Sequence, residues 1–209
     1  MLFRSPLASL PNVLIVAPSK GFKSVGDMVD KARASPGVFN YGSAGNGSAT
    51  HMNAEIFRMS ANFKAQHVPY KGTPEVLTEI AAGRLDFFFA PLSSSLAFIK
   101  DGRVQALAVG TPRRSPMLPD VPTTTEAGFA QSEYVFWVAL LAPAATPRAI
   151  VERLNADALK ALASQEIKDK LIVLGAEAMP MNPADFDAFL RAETARMAQV
   201  VKAAGIQVQ

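Results

Sequence analysis

The sequence predicts an α/β protein, because short apolar strands alternate with amphipathic helices along its first 110 residues. Residues 13–17 form a continuous apolar run, which is typical of a strand buried on both faces of a parallel or mixed sheet. A helix follows, since the candidate N-cap Ser24 precedes apolar residues at helical spacing, until Pro36 ends the element.

The same alternation continues along the chain. Further strands are predicted at 39–41, 66–68, 86–89, 104–109 and 134–142. Helices are predicted at 48–59, 73–82 and 93–100, and from 146, 167 and 182 onward. Four prolines interrupt 110–122, which predicts an exposed connection and a boundary between two segments.

Composition excludes several classes of protein. The 209 residues are 49% hydrophobic and 19% charged, as in a globular protein with one or two domains. The 21 basic and 18 acidic residues leave a net charge of +3 without a run of like charge, so no nucleic-acid partner is expected. The chain has no cysteine and two histidines, which excludes disulfides, thiolate metal sites and multi-histidine zinc sites.

The first 17 residues do not resemble a targeting segment. Pro6 and Pro11 interrupt them, and the apolar run 13–17 is too short for a signal peptide. No apolar stretch reaches the roughly 18 residues of a membrane span.

The segment 41–51 (YGSAGNGSATH) is the first candidate functional site. It connects a predicted strand to a predicted helix, and its glycines allow close approach to the backbone. A helix N-terminus presents unpaired N–H groups and partial positive charge, so 46–50 could hold a carboxylate or phosphate. A flexible turn capped by Ser48 explains the same residues equally well.

Catalysis and nucleotide binding are disfavoured. Residues 42–48 have the glycine spacing of a P-loop, but Ser48 stands where its lysine is required. Ser48 and His51 could pair as nucleophile and base, yet no orienting acid accompanies them. His67 is expected to be a packed or surface side chain. Scattered acids without ligand spacing exclude a metal site: Asp86, Asp101 and Asp120.

Two further junctions are predicted at the same sheet edge, where ligands bind in open α/β folds. Lys71, in 68–74, could neutralise an anion or be a solvated loop lysine. In the third junction, 87–89 are three phenylalanines expected to fill the core on both sheet faces, while Ala90 and Pro91 would face a cleft.

Five motifs in order carry a family resemblance. They are 41–51, HVPYKG at 67–72, AGRLD at 82–86, IKDGRVQALAV at 99–109 and PDVPTTTEAG at 119–128. Together they resemble the Bug family, the tripartite tricarboxylate transporter (TctC-like) substrate-binding proteins. The resemblance implies a type II periplasmic-binding-protein fold, in which two α/β lobes joined by a hinge close on a small carboxylate without chemistry.

The resemblance also predicts a departure from the family. Members begin with another strand-helix-strand section, which holds the ligand from lobe one, and this chain resembles them only after it. On that basis 12–133 is a nearly complete lobe two, and 134–209 with 1–11 is the returning, incomplete part of lobe one. Several relatives carry an acid where Ala90 stands, so a plain carboxylic acid is favoured over an amino acid.

The predicted function is capture of a di- or tricarboxylate, or a related organic acid, for membrane transporter subunits. The resemblance implies a periplasmic location and no cofactor, metal or catalytic residue. The predicted ligand contacts are Ser43, Gly45, Asn46, Gly47, Ser48, Ala49, Thr50, Tyr70, Lys71, Gly72, Ala90 and Pro91.

A second hypothesis is a truncated relative without solute binding, which persists as an oligomeric interaction or structural protein. Self-association is expected in either case, because an incomplete lobe one would leave apolar side chains in water. Those side chains are Trp137, Leu140, Leu141, Phe186, Phe189 and Met197. An enzyme is the weakest alternative.

Overall fold

The computed structural model describes residues 3–206, and of Phe3 and Arg4 the backbone alone. Residues 1, 2 and 207–209, which the predicted domain ranges include, lie outside the described residues. The strands are β1 (Phe3–Leu10), β2 (Asn12–Val16), β3 (Phe39–Ser43), β4 (Ala65–Pro69), β5 (Phe88–Pro91), β6 (Gln105–Val109), β7 (Phe136–Ala142) and β8 (Glu177–Ala178). The helices are α1 (Val25–Ala34), α2 (Ala49–Ser60), α3 (Thr73–Ala81), α4 (Leu92–Lys100), α5 (Arg148–Ala163), α6 (Gln165–Val173) and α7 (Pro183–Ala204).

The predicted α/β class is confirmed, and every predicted strand and helix is present with shifted ends. Ser24 caps α1 as expected, since its side chain accepts a hydrogen bond from the Asp27 N–H at 3.1 Å. Two strands were not predicted. β1 contains Pro6, which lowers its strand propensity, and its register with β7 is irregular beside that proline. β8 has only two residues.

The chain forms two compact units, of which one comprises Pro11–Val135 and Val200–Gln209. In this unit β2 lies between β5 and β6 and is antiparallel to both. β3 and β4 are parallel, and a parallel bridge joins Tyr41 of β3 to Phe87 beside β5. The carboxyl ends of β3, β4 and β5 therefore lie at one edge, as predicted for the three junctions.

The core of this unit lies on both faces of the strands. Phe87 and Phe89 pack with Phe57 of α2 on one face, while Phe88 packs with Ile80 of α3 on the other. The prediction that the three consecutive phenylalanines fill the core on both faces is confirmed, because all three are fully buried. Burying each such side chain stabilises the fold by about 1.5–3 kcal/mol.

The other unit comprises Met1–Leu10 and Phe136–Gln199. Its antiparallel sheet has the strand order β7-β1-β8. Asn155 of α5 fastens the sheet, because its side-chain N–H donates to Ser5 Oγ at 2.6 Å and to the Met181 carbonyl at 3.2 Å. Trp137, Phe186 and Phe189 pack together, with ring centroids 5.5–5.9 Å apart.

The aromatic cluster contradicts part of the expectation that an incomplete lobe one leaves its apolar side chains in water. Phe186 does not face water, because it is fully buried against Trp137. Leu140 and Leu141 of β7 are exposed, as expected. Within the described part of the chain, no helix combines the length and the apolarity that a membrane crossing requires.

Candidate functional site

The loop between β3 and α2 is the centre of the candidate site. Gly45 and Gly47 adopt positive φ angles of 118° and 70°, which few other residues tolerate. Ser48 is the N-cap of α2, and its Oγ accepts a hydrogen bond from the His51 N–H at 3.3 Å. The N-cap interpretation of Ser48 is therefore correct, and the loop is also ordered by further contacts.

Side chains of the same segment hold the loop backbone. The Ala44 N–H donates to Thr50 Oγ1 at 2.9 Å, and the Gly45 N–H donates to Ser43 Oγ at 3.1 Å. The Gly47 N–H donates to Nδ1 of His51 at 3.1 Å. Within residues 3–206, the N–H groups of the first two α2 residues have no acceptor. These groups and the helix dipole favour an anion there.

Two histidine rings contact the loop between β3 and α2. The rings of His51 on α2 and His67 on β4 are stacked, with centroids 3.7 Å apart and planes 7° from parallel. His67 Nε2 lies 2.6 Å from Ser43 Oγ. Burial lowers the pKa of His51, and burial followed by the neighbouring His51 lowers the pKa of His67 to about 4. Both rings are therefore neutral at pH 7.

A buried network of Tyr41, Glu55 and Arg58 fixes α2 against β3. The Tyr41 hydroxyl donates to Glu55 Oε1 at 2.5 Å, and Arg58 donates to both oxygens of Glu55 at 3.0 and 2.7 Å. Burial raises the pKa of Glu55, but the hydrogen bonds from Arg58 and Tyr41 outweigh burial and keep this pKa below its ordinary value. The network and the two histidines line a cavity of about 390 Å³.

The second junction lies directly beside the loop. The Tyr70 N–H donates to the Ser43 carbonyl at 3.0 Å, and a Cβ on Gly45 would lie 3.5 Å from the Tyr70 carbonyl oxygen. The Lys71 N–H donates to Glu75 Oε2 at 3.1 Å, which orders the start of α3, and the Lys71 side chain is exposed. The structure thus brings 43–50 and 70–72 together.

The third junction contributes less surface. Pro91 is half-buried at the end of β5, opposite Asn12 of β2. Ala90 is fully buried and packs with Val13 in the core, so its side chain does not face an open surface.

Sequence reasoning did not identify the network around Glu55. The spacing of Glu55 and Arg58 on one helix face was a detectable signal, but the partnership with Tyr41 depends on how α2 packs on β3. Ser48 Oγ accepts a hydrogen bond from the backbone N–H of His51, and no hydrogen bond joins the two side chains. Among residues 3–206, no three His, Cys, Asp or Glu side chains are grouped so as to hold a metal.

Sequence comparisons match this chain to a known family. A family model described as the tripartite tricarboxylate transporter family receptor matches residues 3–206. The UPF0065 protein in the tcbD-tcbE intergenic region of Pseudomonas sp. (strain P51) is 34% identical over 93% of this chain and 58% of its own length. Protein BugT of Bordetella pertussis is 26% identical over 98% of this chain and 63% of its own length. The chain therefore spans about 60% of these curated relatives.

Solved structures show the same fold. R. palustris Rpa4515 with adipate matches with a TM-score of 0.86 and 35% identity, over 97% of this chain and 68% of that one. MatC (Rpa3494) from Rhodopseudomonas palustris with bound malate matches with a TM-score of 0.82 and 25% identity, over 96% and 69%. The resemblance found in the sequence motifs is confirmed. The chain belongs to the tripartite tricarboxylate transporter receptor family.

Proposed function

We propose that this chain binds a small organic carboxylate at the edge formed by 43–50 and 70–72. The observation that carries the proposal is the ordered N-terminus of α2, where the N–H groups of Ala49 and Thr50 have no acceptor among the described residues. A carboxylate oxygen accepts such N–H groups directly. Adipate and malate, named with two related structures, belong to the same class of ligand.

The chemistry of the edge favours a plain acid over an amino acid. Ser48 supplies a hydroxyl at the start of α2, and the exposed Lys71 supplies a cation at the neighbouring junction, where its N–H binds the Glu75 carboxylate. Glu55, which could otherwise receive an ammonium group, is already held by Arg58. The proposed role is capture without catalysis, in the periplasm, for delivery to membrane transporter subunits.

We further propose that these 209 residues supply only part of the ligand contacts. The matched relatives are longer by roughly three fifths of this chain's length, and solute receptors of two lobes gain affinity by closing around the ligand. Losing two or three charge-assisted hydrogen bonds of about 1.5–3 kcal/mol each weakens binding by several orders of magnitude. A submicromolar dissociation constant for any di- or tricarboxylate would contradict this proposal.

A glycine substitution with a matched control tests the site. Gly47 and Gly102 have almost the same φ, 70° and 68°, and a Cβ at either meets no atom within 4 Å. Gly47→Val perturbs the loop, whereas Gly102→Val places the same strain in the turn after α4. Adipate, malate and citrate are titrated at millimolar concentrations, and binding is followed by backbone amide chemical shifts.

The expected result is shifts at Ala49 and Thr50 in the wild type and in Gly102→Val. Gly47→Val should weaken binding at least tenfold. Equal affinity of the two variants, or shifts confined to residues remote from α2, would refute the assignment.

A second candidate role is self-association, which one observation favours. Of the ten exposed large hydrophobic side chains among the described residues, eight belong to the Met1–Leu10 and Phe136–Gln199 unit. β7 is also an edge strand in the sheet order, so its outer edge is available for pairing. The eight are Val138, Leu140, Leu141, Ile150, Leu154, Ile172, Val173 and Leu174.

Two equally exposed positions test self-association. Leu141 on β7 is 61% exposed, and Val38 in the other unit is 66% exposed. If a second copy covers the apolar surface, the wild type and Val38→Glu sediment as oligomers at micromolar concentration, whereas Leu141→Glu is monomeric. A monomeric wild type would refute self-association and leave carboxylate binding untouched.

A further inference from the structure

Two carboxamides in the Pro11–Val135 unit are buried without a hydrogen-bond partner among the described residues. Asn12 begins β2 and is 1% exposed, and Asn53 lies in α2 and is 0% exposed. Both the oxygen and the nitrogen of each side chain lack a partner in the described part of the chain. Buried polar groups without partners destabilise a fold, so native proteins keep very few of them.

The two side chains lie beside the same glycine. The Gly110 N–H donates to the Asn12 carbonyl at 2.8 Å, next to the ladder pair Val13 and Val109, so Gly110 faces Asn12 across the β2–β6 ladder. Cross-strand neighbours place their Cβ atoms about 4.5–5.5 Å apart on one face. A Cβ on Gly110 would lie 2.7 Å from Asn53 Oδ1 and 3.2 Å from Asn53 Nδ2.

The alternation of side chains along β2 shows which face this is. Leu14 packs with Ala54 and Phe57 of α2, whereas Val13 packs on the opposite face. Asn12 precedes Leu14 by two residues and therefore points toward α2. The carboxamides of Asn12 and Asn53 thus lie in one buried compartment between β2, β6 and α2, and the absence of a side chain at Gly110 lets the Asn53 carboxamide lie directly against the ladder.

We propose that this compartment binds a single water molecule, which bridges the carboxamides of Asn12 and Asn53. Both carboxamides lie beside Gly110 and neither has a partner among the described residues, and buried polar groups left in this way are the usual partners of an internal water. Each carboxamide offers a donor and an acceptor, which matches the two donors and two acceptors of water. Neither carboxamide carries a charge that would select an ion.

This water connects the helix of the candidate site to the end of the unit. The Gly110 carbonyl accepts a hydrogen bond from the Tyr134 N–H at 2.7 Å. Hydrogen bonds, together with the backbone of Asn12 and Gly110, then link Asn53 on α2 through the water to Tyr134. The water site stands on packing alone and does not depend on the proposed carboxylate site.

The water is tested directly in the wild-type chain. The expected results are density within hydrogen-bond distance of both carboxamides in a high-resolution crystal structure, and water cross-peaks to the Asn12 and Asn53 side-chain amides in nitrogen-edited rotating-frame NMR spectra. A direct bond between the two carboxamides, or a compartment without water, would overturn the proposal.

Two alanine variants add a matched comparison. Gly110→Ala displaces the Asn53 carboxamide, because its Cβ would lie 2.7 Å from Asn53 Oδ1, whereas the Cβ of Gly26→Ala in α1 meets its nearest atom, Ser24 Oγ, at 3.7 Å. Gly110→Ala should abolish the water cross-peaks and raise the unfolding equilibrium constant at least tenfold. Gly26→Ala should retain the cross-peaks. Persistence of the cross-peaks in Gly110→Ala would show that the water lies elsewhere and would overturn its assignment to this compartment.

Leucine variants test the bridge energetically. Asn12→Leu and Asn53→Leu each leave one carboxamide alone in an apolar compartment, while the double variant leaves none. Each single variant should raise the unfolding equilibrium constant. The product of the two fold increases should therefore exceed the fold increase of the double variant by at least tenfold. Strictly additive effects would contradict a shared water.

Discussion

Acidification tests the stacked histidines, because they are the only histidines in the chain. The pKa of His67 falls from an ordinary value of 6.5 to about 4, owing to burial and then to the neighbouring His51. A histidine with a lowered folded-state pKa contributes stability that is complete above 6.5 and is lost as the pH falls toward 4, since the unfolded chain binds the proton more readily.

The magnitude follows from the two pKa values of His67. At about 1.4 kcal/mol for each pH unit, the interval from 6.5 to about 4 sets a limit of about 3 kcal/mol. At pH 5 protonation is incomplete, and the expected loss of unfolding free energy relative to pH 7.5 is about 2 kcal/mol. His51 adds to this loss, because burial lowers its pKa as well. Glu55 contributes only below pH 4.5, since its pKa is below its ordinary value.

The assay is urea unfolding at pH 7.5 and pH 5, followed by far-UV circular dichroism. Tryptophan fluorescence is unsuitable, because the only tryptophan, Trp137, lies in the other unit. The control is the double variant His51→Gln with His67→Gln, which removes both titrating rings and should lose less than about 0.5 kcal/mol over the same interval. An equal pH dependence of the wild type and the double variant would refute the argument.

Three further predictions concern packing in the same unit. Tyr41→Phe removes the hydroxyl bonded to buried Glu55 and should destabilise the fold by about 1–3 kcal/mol in urea unfolding, whereas an unchanged midpoint would show that Arg58 alone satisfies Glu55. Gly42→Ala places a Cβ 2.4 Å from Val76 Cγ1 and should cost about 1–3 kcal/mol of unfolding free energy. Gly26→Ala, inside α1, should instead raise the free energy of unfolding by about 0.5–1 kcal/mol. A lower free energy of unfolding in this variant would contradict the helix assignment.

Local signals predicted most of the fold. The apolar run 13–17 indicated a central strand, and all five residues of β2 are buried between two neighbouring strands. Ser24 and Ser48 marked helix starts through a physical mechanism, the capping of free N–H groups, and both caps are present. β1 was not predicted, because Pro6 interrupts a strand whose pairing is set by β7, far along the sequence.

The candidate site was predictable only in outline. The strand-to-helix junctions followed from α/β alternation, and β3 and β4 bring two of them together. The stacking of His51 on His67 depends on the β3–β4 register, which pairs Tyr41 with His67, and on the rotation of α2 above it. No local propensity encodes contacts of this range. The carboxamides of Asn12 and Asn53, which have no partner among residues 3–206, could not be recognised in the sequence for the same reason.

The electrostatics around the proposed carboxylate site support the proposal that an anion binds there, although the Glu55 carboxylate lies nearby. Glu55 is neutralised by Arg58 at 2.7 Å, and the two histidines are uncharged at pH 7 because burial lowers the pKa of each. The start of α2 carries partial positive charge, and the neighbouring junction carries the cation of Lys71 together with the carboxylate of Glu75, which accepts the Lys71 N–H. Because Thr50, Ser43 and His51 already hold the loop, its N–H groups need little ordering when a ligand arrives, so little conformational entropy opposes binding. The exposed Lys71 contributes a screened attraction, which added salt reduces, whereas the directed hydrogen bonds of α2 persist.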